Sequence, residues 1–509
     1  MYVVTGGEMH QIDRYTMEQI GLSEEMLMEN AGQVFKEKLL SLIQANEKII
    51  VFIGAGNNGG DGFVISRLLL ERGCDVKVWV IPSENRIRGT ACKHKDIYKK
   101  CGYSFQHWQG KEGLAEKDLS KATLVVDALL GTGIEGPLKE PYGEVISLIN
   151  SAKKRVISVD IPSGIPNGGD EESRGILASE TYTLQAPKLS AFTFPSAENY
   201  GQLHVLDIGI PSRSFQKAGI KRELITAHTV KDTLPVREMN SHKGKAGKAL
   251  VIAGSESMPG AAVLTANACL RAGAGLLSLA IPQSIQTIVA SQSTESTFIV
   301  LENTKGSISP NAFSDAISFN NFHGVAIGPG LGRANSYPLF KTLQPYSGLV
   351  VIDADGLYHL SQELPLWRSE QRQGATIITP HPGEMAMLTA LSVAEVEQNR
   401  FEVSKSFAKT YQMYVVLKGP YTIITTPEGH QYVNTTGNAS LAKGGSGDVL
   451  TGIILGFLLQ HKSIQDALCN AVYVHGITAD RLMENLDTFS VVATDLIDTL
   501  PIVLRSARY

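Results

Sequence analysis

Cysteine is scarce in this chain. The 5 residues present (Cys74, Cys92, Cys101, Cys269 and Cys469) are scattered and form no C-x-x-C pair. A disulfide framework is therefore excluded, and reduced, mostly buried thiols are expected. An excess of basic charge is missing too: 46 Lys and Arg against 50 Asp and Glu leave 46 − 50 = −4. Nucleic acid and anionic membrane are accordingly excluded as main partners. Long apolar runs are absent. The longest, Val449 to Leu459, is interrupted by Thr451, Gly452 and Gly456, well short of the roughly 18 residues of a spanning helix. The opening residues Met1-Tyr-Val-Val-Thr-Gly-Gly-Glu-Met-His have neither a basic n-region nor an apolar h-region, so the cytoplasm is the expected compartment and no membrane partner is expected. No G-x-x-x-x-G-K-[ST] occurs anywhere, which excludes a Walker A phosphate loop.

What is present can bury sizeable cores, with 43% hydrophobic and 19% charged residues, and disorder is ruled out. The 509 residues, at about 150 per domain, imply roughly two to four domains. The 49 glycines are clustered, the first hint of turns shaped around phosphates.

Two α/β passages are separated by a polar stretch. In the first, helices are expected at Glu8–Gly21, Leu27–Ile43, Gly62–Arg72 and Pro141–Ser151. Strands are expected at Lys48–Ile53, Val76–Ile81, Thr123–Asp127, Arg155–Asp160, Glu180–Leu184 and Gln202–Ile208. Near-continuous apolar strands alternating with helices predict a parallel sheet covered on both faces. From about Pro211 to Arg237 the pattern lapses, dividing a domain over 1–222 from one over 223–509. The second passage has strands expected at Lys248–Ala253, Leu276–Ile281, Gly324–Gly328, Leu349–Asp353, Ala375–Thr379, Tyr414–Lys418 and Thr422–Thr426. It closes with helices at Val449–Gln460 and Gln465–Leu486. The glycine motifs of the halves differ in spacing and flanking chemistry, so the chain reads as two domains with two sites rather than a repeat.

Gly54-Ala-Gly56-Asn57-Asn58-Gly59-Gly60-Asp61-Gly62 follows a strand and opens a helix. That context turns backbone amides towards a phosphate at a helix N-terminus. A nicotinamide dehydrogenase would carry an acid at the end of the second strand to hold the ribose, whereas here that strand runs into Pro82-Ser83 and Glu84 comes late. Two further strand ends converge on the same edge: Val125-Val-Asp127-Ala-Leu-Leu-Gly131-Thr-Gly133-Ile-Glu-Gly136-Pro137 and Val159-Asp160-Ile-Pro162-Ser163-Gly164. Asn58, Asp127 and Ser163 together make an oxygen cage of low charge suited to a monovalent cation, although each acid alone could serve as a helix cap or turn brace.

Those three motifs, with Met26-Leu-Met-Glu-Asn30-Ala-Gly, resemble the NAD(P)H-hydrate epimerases across essentially all of residues 1–220. The resemblance implies a Rossmann-like fold. It implies that Asn57, Asn58, Gly59, Gly60 and Asp61, with Gly131, Thr132, Gly133, Ile134, Glu135, Gly136 and Pro137, embrace the hydrated dinucleotide. It further implies that Asn58, Asp127 and Ser163 hold potassium and that Asp160 is the general acid/base. Lys188, in Gln-Ala-Pro-Lys188-Leu-Ser, matches a lysine of that family; a plain surface cation is the competing reading. Epimerisation can proceed by loss of the hydroxyl to an iminium ion and return of water to the other face, with a carboxylate giving and taking the proton.

In the second half, Asn438-Ala-Ser-Leu-Ala-Lys443-Gly444-Gly445-Ser446-Gly447-Asp448 leads into an apolar helix. Unhindered amides there form an anion hole for a transferring phosphoryl group, and Asp448 is placed to accept a proton from an attacking hydroxyl. A glycine-rich cap with a first-turn acid is the plainer alternative. The turn is similar to that of the ribokinase-like superfamily. Together with Gly328-Pro-Gly330-Leu-Gly332-Arg, Asp353-Ala-Asp355-Gly-Leu, Thr379-Pro-His381-Pro382-Gly383-Glu384-Met385 and Leu417-Lys418-Gly-Pro-Tyr-Thr422, it resembles the ADP/ATP-dependent NAD(P)H-hydrate dehydratases over roughly 235–500.

This second resemblance implies that Lys418, Gly419, Pro420, Tyr421 and Thr422, with Asn438, Ala439, Ser440, Leu441, Ala442, Lys443, Gly444, Gly445, Ser446 and Gly447, hold the nucleotide. Gly330 and the run His381, Pro382, Gly383, Glu384, Met385, Ala386 and Met387 would hold the hydrated dinucleotide, with Asp448 the base. Ala439-Ser440-Leu441 and Lys443 depart from the family's commoner Pro-Gly-Met and small residue. His242, in a basic run, reads as part of a solvated linker, and Asp355 as a turn brace. Fusions of this kind resemble ADP-using members, so ADP is the expected co-substrate, with magnesium accompanying it. A homo-oligomer is expected. The competing functions are a small-molecule kinase, a dinucleotide sensor without turnover, and a dehydrogenase.

Overall fold

The computed structural model describes residues 1–44, 46–133, 136, 138–166, 175–315, 317–370 and 372–508. They form two compact units, Tyr2–Ile220 and the chain from Lys221 onward. Ile134, Glu135 and Pro137, expected at the first site, lie outside the described residues.

The first unit is built on a seven-stranded sheet in the spatial order Gln106–His107, Asp75–Val80, Lys48–Ile53, Leu124–Ala128, Arg155–Val159, Glu180–Leu184, Gln202–Leu206. Every neighbouring pair is parallel. Alternate residues of its strands feed separate cores. Ile49, Val51, Ile53, Val78 and Leu124 pack on one face, while Ile50, Phe52, Trp79 and Val125 pack on the other. The unit is thus a three-layer, Rossmann-like α/β fold, and burial on both faces explains why its strands read as unbroken apolar runs.

The second unit has a ten-stranded sheet in the order Thr297–Leu301, Leu276–Pro282, Lys248–Ile252, Gly324–Ile327, Leu349–Ile352, Thr376–Ile378, Tyr414–Leu417, Thr422–Thr425, Gln431–Asn434, Arg222–Leu224. It is parallel until Thr422–Thr425, which pairs antiparallel on both sides. Its two faces again fill separate cores, Ala249, Val251 and Leu279 on one and Leu250, Ile252 and Ala280 on the other. The polar stretch around Pro211–Arg237 is not structureless. It holds helices Ser212–Ala218 and Ala227–Thr233, and Arg222–Leu224 adds a strand beside Gln431–Val433. That pairing joins residues some two hundred positions apart, which no local pattern reveals.

Two helices start earlier than their apolar periodicity predicts. Asn57–Glu71 begins at Asn57, and Ser446–Leu458 begins at Ser446. Both glycine turns are therefore first helical turns, with their free amides at the helix N-terminus. The expected helix over Glu8–Gly21 runs Gly6–Tyr15, opened by a Thr5/Glu8 capping box, and then widens over Thr16–Ile20 to stop at left-handed Gly21.

Close backbone approach decides where glycine is obligatory. A Cβ on Gly54 would lie 1.6 Å from the Leu129 carbonyl oxygen, and one on Gly59 2.1 Å from the Gly54 oxygen. Behind the second turn, a Cβ on Gly452 would lie 2.3 Å from the Thr265 carbonyl oxygen, because helices Pro259–Arg271 and Ser446–Leu458 touch there. Gly452→Ala should lower stability by about 1–3 kcal/mol through overpacking, measured as a lower thermal unfolding midpoint. Gly260→Ala, with nothing within 4 Å of its new Cβ, should leave that midpoint in place; equal midpoints for both variants would contradict the close-packing account.

Candidate functional site

In an open parallel sheet, a crevice forms where consecutive crossovers leave in opposite directions. In the first unit that point lies between Lys48–Ile53 and Leu124–Ala128, and in the second between Lys248–Ile252 and Gly324–Ile327. A cavity occupies each.

The first, of about 850 Å³, is lined by Asn57, Asn58, Asp61, Gly131, Thr132, Gly133, Asp160 and Lys188 among others. Gly59 and Gly60 are buried beneath it, whereas Gly136, in a left-handed turn, does not line it. Asn57 is exposed and tied through Nδ2 to Glu24 at 2.7 Å. Asn58 is buried; its Nδ2 donates to the Leu130 carbonyl at 2.9 Å, but its Oδ1 is buried without a hydrogen-bond partner. Asp127 has no exposure and accepts from Ser163 N at 2.9 Å, Ser163 Oγ at 2.5 Å and Ser158 Oγ at 2.8 Å. Burial raises its pKa while those bonds pull it back. The Ser163 hydroxyl also accepts from Leu130 N at 2.8 Å. Asn58 and Ser163 thus meet at Leu130, Ser163 ties Asp127 to them, and one oxygen of Asn58 is left over.

Asp160 ends its strand in a left-handed conformation, φ 67°. That turn re-aims its carboxylate, whose Oδ1 accepts from Leu184 N at 2.9 Å and pairs with Lys188. Lys188 is no surface cation: its side chain is 3% exposed, and Nζ also donates to the Leu184 carbonyl at 3.1 Å. Burial, then the charge of Asp160, drives the Asp61 carboxyl well above the ordinary range. Asp13, which no motif in the sequence marks, lines the same cavity. Burial pushes its carboxyl up to about 6, with Lys188 opposing and Asp160 reinforcing the shift.

The second cavity, of about 440 Å³, is lined by Gly330, Asp355, Glu384, Gly444, Gly445 and Asp448, with Ser257–Ala261 and Arg333. Asp448 sits in the first turn of Ser446–Leu458. Burial, then Asp353, pushes its carboxyl up to about 7, while the Lys418 ammonium opposes them. Lys418 Nζ donates to Asp353 at 2.9 Å and stands 3.8 Å from Glu384. Thr451 Oγ1 donates to the other Asp353 oxygen at 2.6 Å. Burial would raise Asp353, but Lys418 and Thr451 outweigh it and hold this carboxyl below the usual range. Asp355 braces its turn by accepting from Gly332 N at 2.9 Å and Arg333 Nε at 2.8 Å, and it also reaches the cavity.

Other expected positions lie around rather than on this cavity. His381 is the N-cap of helix Pro382–Thr389, its Nδ1 accepting from Gly383 N at 3.0 Å. Met385 and Ala386 are buried in the core and Met387 packs against it. Gly419, Pro420, Tyr421 and Thr422 do not line the cavity; buried Arg400 grips their loop, donating to the Lys418 and Tyr421 carbonyls at 3.2 and 3.0 Å. Asn438 is fixed to Asp480 at 2.9 Å, and the short turn Ala439–Leu441 follows with the Ser440 Oγ buried and unpartnered. Ala442 ends that turn, and Lys443 donates to the Phe489 carbonyl at 2.6 Å. The Ser446 carbonyl lies 3.1 Å from His475 Nε2. Burial lowers the His475 pKa to about 4, so the ring is neutral and Nε2 donates. Gly447 completes the turn, and a Cβ at this position would lie 3.5 Å from Lys418 Nζ. His242 stays exposed, its Nδ1 accepting from Lys245 N at 3.3 Å.

Comparison with known proteins gives a family for each half. A family model described as NAD(P)H-hydrate dehydratase matches residues 249–502, and one described as YjeF-related protein N-terminus matches residues 24–190. The bifunctional NAD(P)H-hydrate repair enzyme of Moorella thermoacetica is 38% identical over 516 residues, covering 99% of this chain and 97% of its own. That of Escherichia coli is 31% identical, covering 96% and 91%. A crystal structure of the ADP/ATP-dependent NAD(P)H-hydrate dehydratase of Bacillus subtilis, co-crystallised with ATP and Mg2+, superposes with a TM-score of 0.51 at 35% identity, covering 56% of this chain and 98% of that one. The chain belongs to the family of bifunctional NAD(P)H-hydrate repair enzymes.

Proposed function

We propose that the chain repairs hydrated NADH and NADPH in two steps. The first unit interconverts the R and S forms, and the second dehydrates the S form at the expense of ADP, giving AMP and phosphate. One observation carries this reading: at each switch point the bare amides of a helix start stand by an aspartate held by a lysine, Asp160 with Lys188 lining the first cavity and Asp353 with Lys418 beside the second, next to its Glu384 and Asp448. An anionic dinucleotide needs the first, and proton transfer at its ring needs carboxyls of controlled charge.

At the first site, the amides of Asn57–Asp61 and the Gly131 loop take the phosphates, and Asp160 handles the proton of the ring hydroxyl. Asn58, Asp127 and Ser163 would hold potassium; the unpartnered Asn58 Oδ1 is the oxygen such an ion would satisfy. Bound there, it supplies positive charge beside the dinucleotide.

At the second site, Gly330 and the His381–Met387 turn take the hydrated dinucleotide, while Lys418–Thr422 and Asn438–Gly447 take the nucleotide, whose phosphates bring magnesium. Asp448 removes the proton of the ring hydroxyl as its oxygen attacks the terminal phosphoryl group, and the Gly444–Gly447 amides stabilise the developing charge. Phosphate leaves where hydroxide could not, pushed out by the ring nitrogen, and loss of a ring proton restores the reduced nicotinamide. A small-molecule kinase would stop at the phosphorylated compound.

The test is incubation with hydrated NADH or NADPH and either ADP or ATP. Return of the reduced-nicotinamide absorbance is expected, whereas a stable phosphorylated product would identify a kinase. Asp160→Ala should consume only the S form of an R/S mixture, leaving the R form in place; complete consumption at the wild-type rate would remove Asp160 from the chemistry. Because Asp448 must be ionised to act, kcat/KM for dehydration should rise with pH through about 7 and level off above it. A profile flat across that range would contradict its role as base. Replacing potassium by a bulky organic cation should slow epimerisation but not dehydration, and Asn58→Leu should abolish the response to added potassium. An Asn58→Leu protein that still responds would move the ion elsewhere.

A further inference from the structure

Inversion at the hydroxyl-bearing carbon passes through a planar iminium ion. Water leaves from one face and returns to the other. While the ring stays bound in one orientation, a carboxyl beneath its plane cannot exchange protons with an oxygen above it. Epimerisation therefore calls for two proton-handling groups, and Asp160 is one.

The first cavity is lined by three further carboxyls: Glu24, whose two oxygens accept from Asn57 Nδ2 and Thr90 Oγ1, Asp61 and Asp13. Asp61 is buried among the amides of the glycine turn. Asp13 is different. It is carried by the N-terminal helix Gly6–Tyr15, an element outside the sheet, whose Met9, His10 and Arg14 also line the cavity. The one buried lysine of the site, Lys188, is committed to Asp160 Oδ1 and to the Thr183 and Leu184 oxygens. Among the described residues, Asp13 has no hydrogen-bond or ion-pair partner for its carboxyl, and Asp160 Oδ2 has none either. Two free carboxyl oxygens thus enter one cavity, Asp160 from a strand end and Asp13 from a helix.

We propose that Asp13 is the second catalytic carboxyl of epimerisation, serving the ring face opposite Asp160. This rests on the epimerase reading of the cavity. In one direction the Asp13 carboxyl gives its proton to the ring hydroxyl. The carbon–oxygen bond breaks, its electron pair leaves with water, and the ring nitrogen's lone pair forms the iminium. A second water adds to the other face and loses a proton to Asp160. The reverse direction exchanges the two roles. Water is lost and gained once, nothing is oxidised, and solvent resets the two carboxyls. Pushed up to about 6 by burial, Asp13 can give a proton near neutral pH while Asp160 keeps the lysine.

The test follows hydroxyl oxygen exchange as well as inversion. The full chain, without nucleotide so that the second site idles, is given each separated epimer of hydrated NADPH in water enriched in oxygen-18. Wild type should both invert and label the two epimers. Asp13→Asn should slow inversion by about 100-fold or more yet still label the one epimer whose hydroxyl faces Asp160. Asp160→Asn should label only the other. Asp13→Asn with wild-type inversion overturns the proposal, and so does a variant that loses labelling of both epimers alike, as a merely structural role would give. The unfolding midpoint and the nucleotide-driven dehydration rate of Asp13→Asn should match wild type. A wild type no faster than the uncatalysed background would overturn the epimerase reading itself, whereas a fast wild type with an unaffected Asp13→Asn overturns this inference alone.

Discussion

Each half of the chain holds a lysine against an aspartate at the end of a parallel strand, and the rest of each site is arranged around that pair. Lys188 is 3% exposed against Asp160, and Asp353 is 2% exposed against Lys418. Charges so far from water persist only when matched: removing one partner of a buried pair costs about 3–5 kcal/mol, because the other is left uncompensated. Further hydrogen bonds brace each pair, from Leu184 N to Asp160 Oδ1 in the first and from Thr451 to the second Asp353 oxygen in the other. Each pair is thus a fixed point of charge against which the neighbouring carboxyls take their state.

That fixed charge acts unequally on the neighbouring acids. At the second site one ammonium faces Asp353, Glu384 and Asp448. It lies closest to Asp353, whose carboxyl falls below the usual range, while burial drives Glu384 and Asp448 upwards. At the first site Asp160 takes the lysine, and Asp13 and Asp61 are raised by burial. At the second site, carboxyls pushed apart in this way can act as acid and base side by side. The glycines contribute differently: contacts such as that of Gly54 with Leu129 let adjacent strand-end loops touch, which brings the amides and acids within one dinucleotide's length.

Much of this was legible in the chain because strand ends declare themselves locally. An apolar run that stops at Asp127 or Asp160 marks both the strand and the acid beyond it, and a parallel sheet gathers such ends on one edge. What stayed hidden depends on pairing between distant residues. Asp353 and Lys418 are 65 positions apart, and only strand register brings them together. Arg222–Leu224 lies in a basic stretch with no strand signal and becomes an edge strand through its partner. Arg400, which grips the Lys418–Tyr421 carbonyls, reads as an ordinary helical surface residue. Asp13 stands among His10, Gln11 and Arg14, a polar face like any other until the helix is packed across the sheet edge. Lys188 reads equally well as a surface cation until Val4 pairs beside it.

The central claim is that one damaged dinucleotide is bound at two separate switch points, by helix-start amides and with its ring at a carboxyl. A crystal structure of the protein soaked with hydrated NADPH tests this most directly. The account predicts a dinucleotide in each cavity, with phosphate on the amides following Gly56 in the first. The hydroxylated ring carbon should lie within hydrogen-bond reach, about 3 Å, of Asp160 in one cavity and Asp448 in the other. A dinucleotide seated away from both strand-end edges, or with its ring remote from these carboxyls, would contradict it.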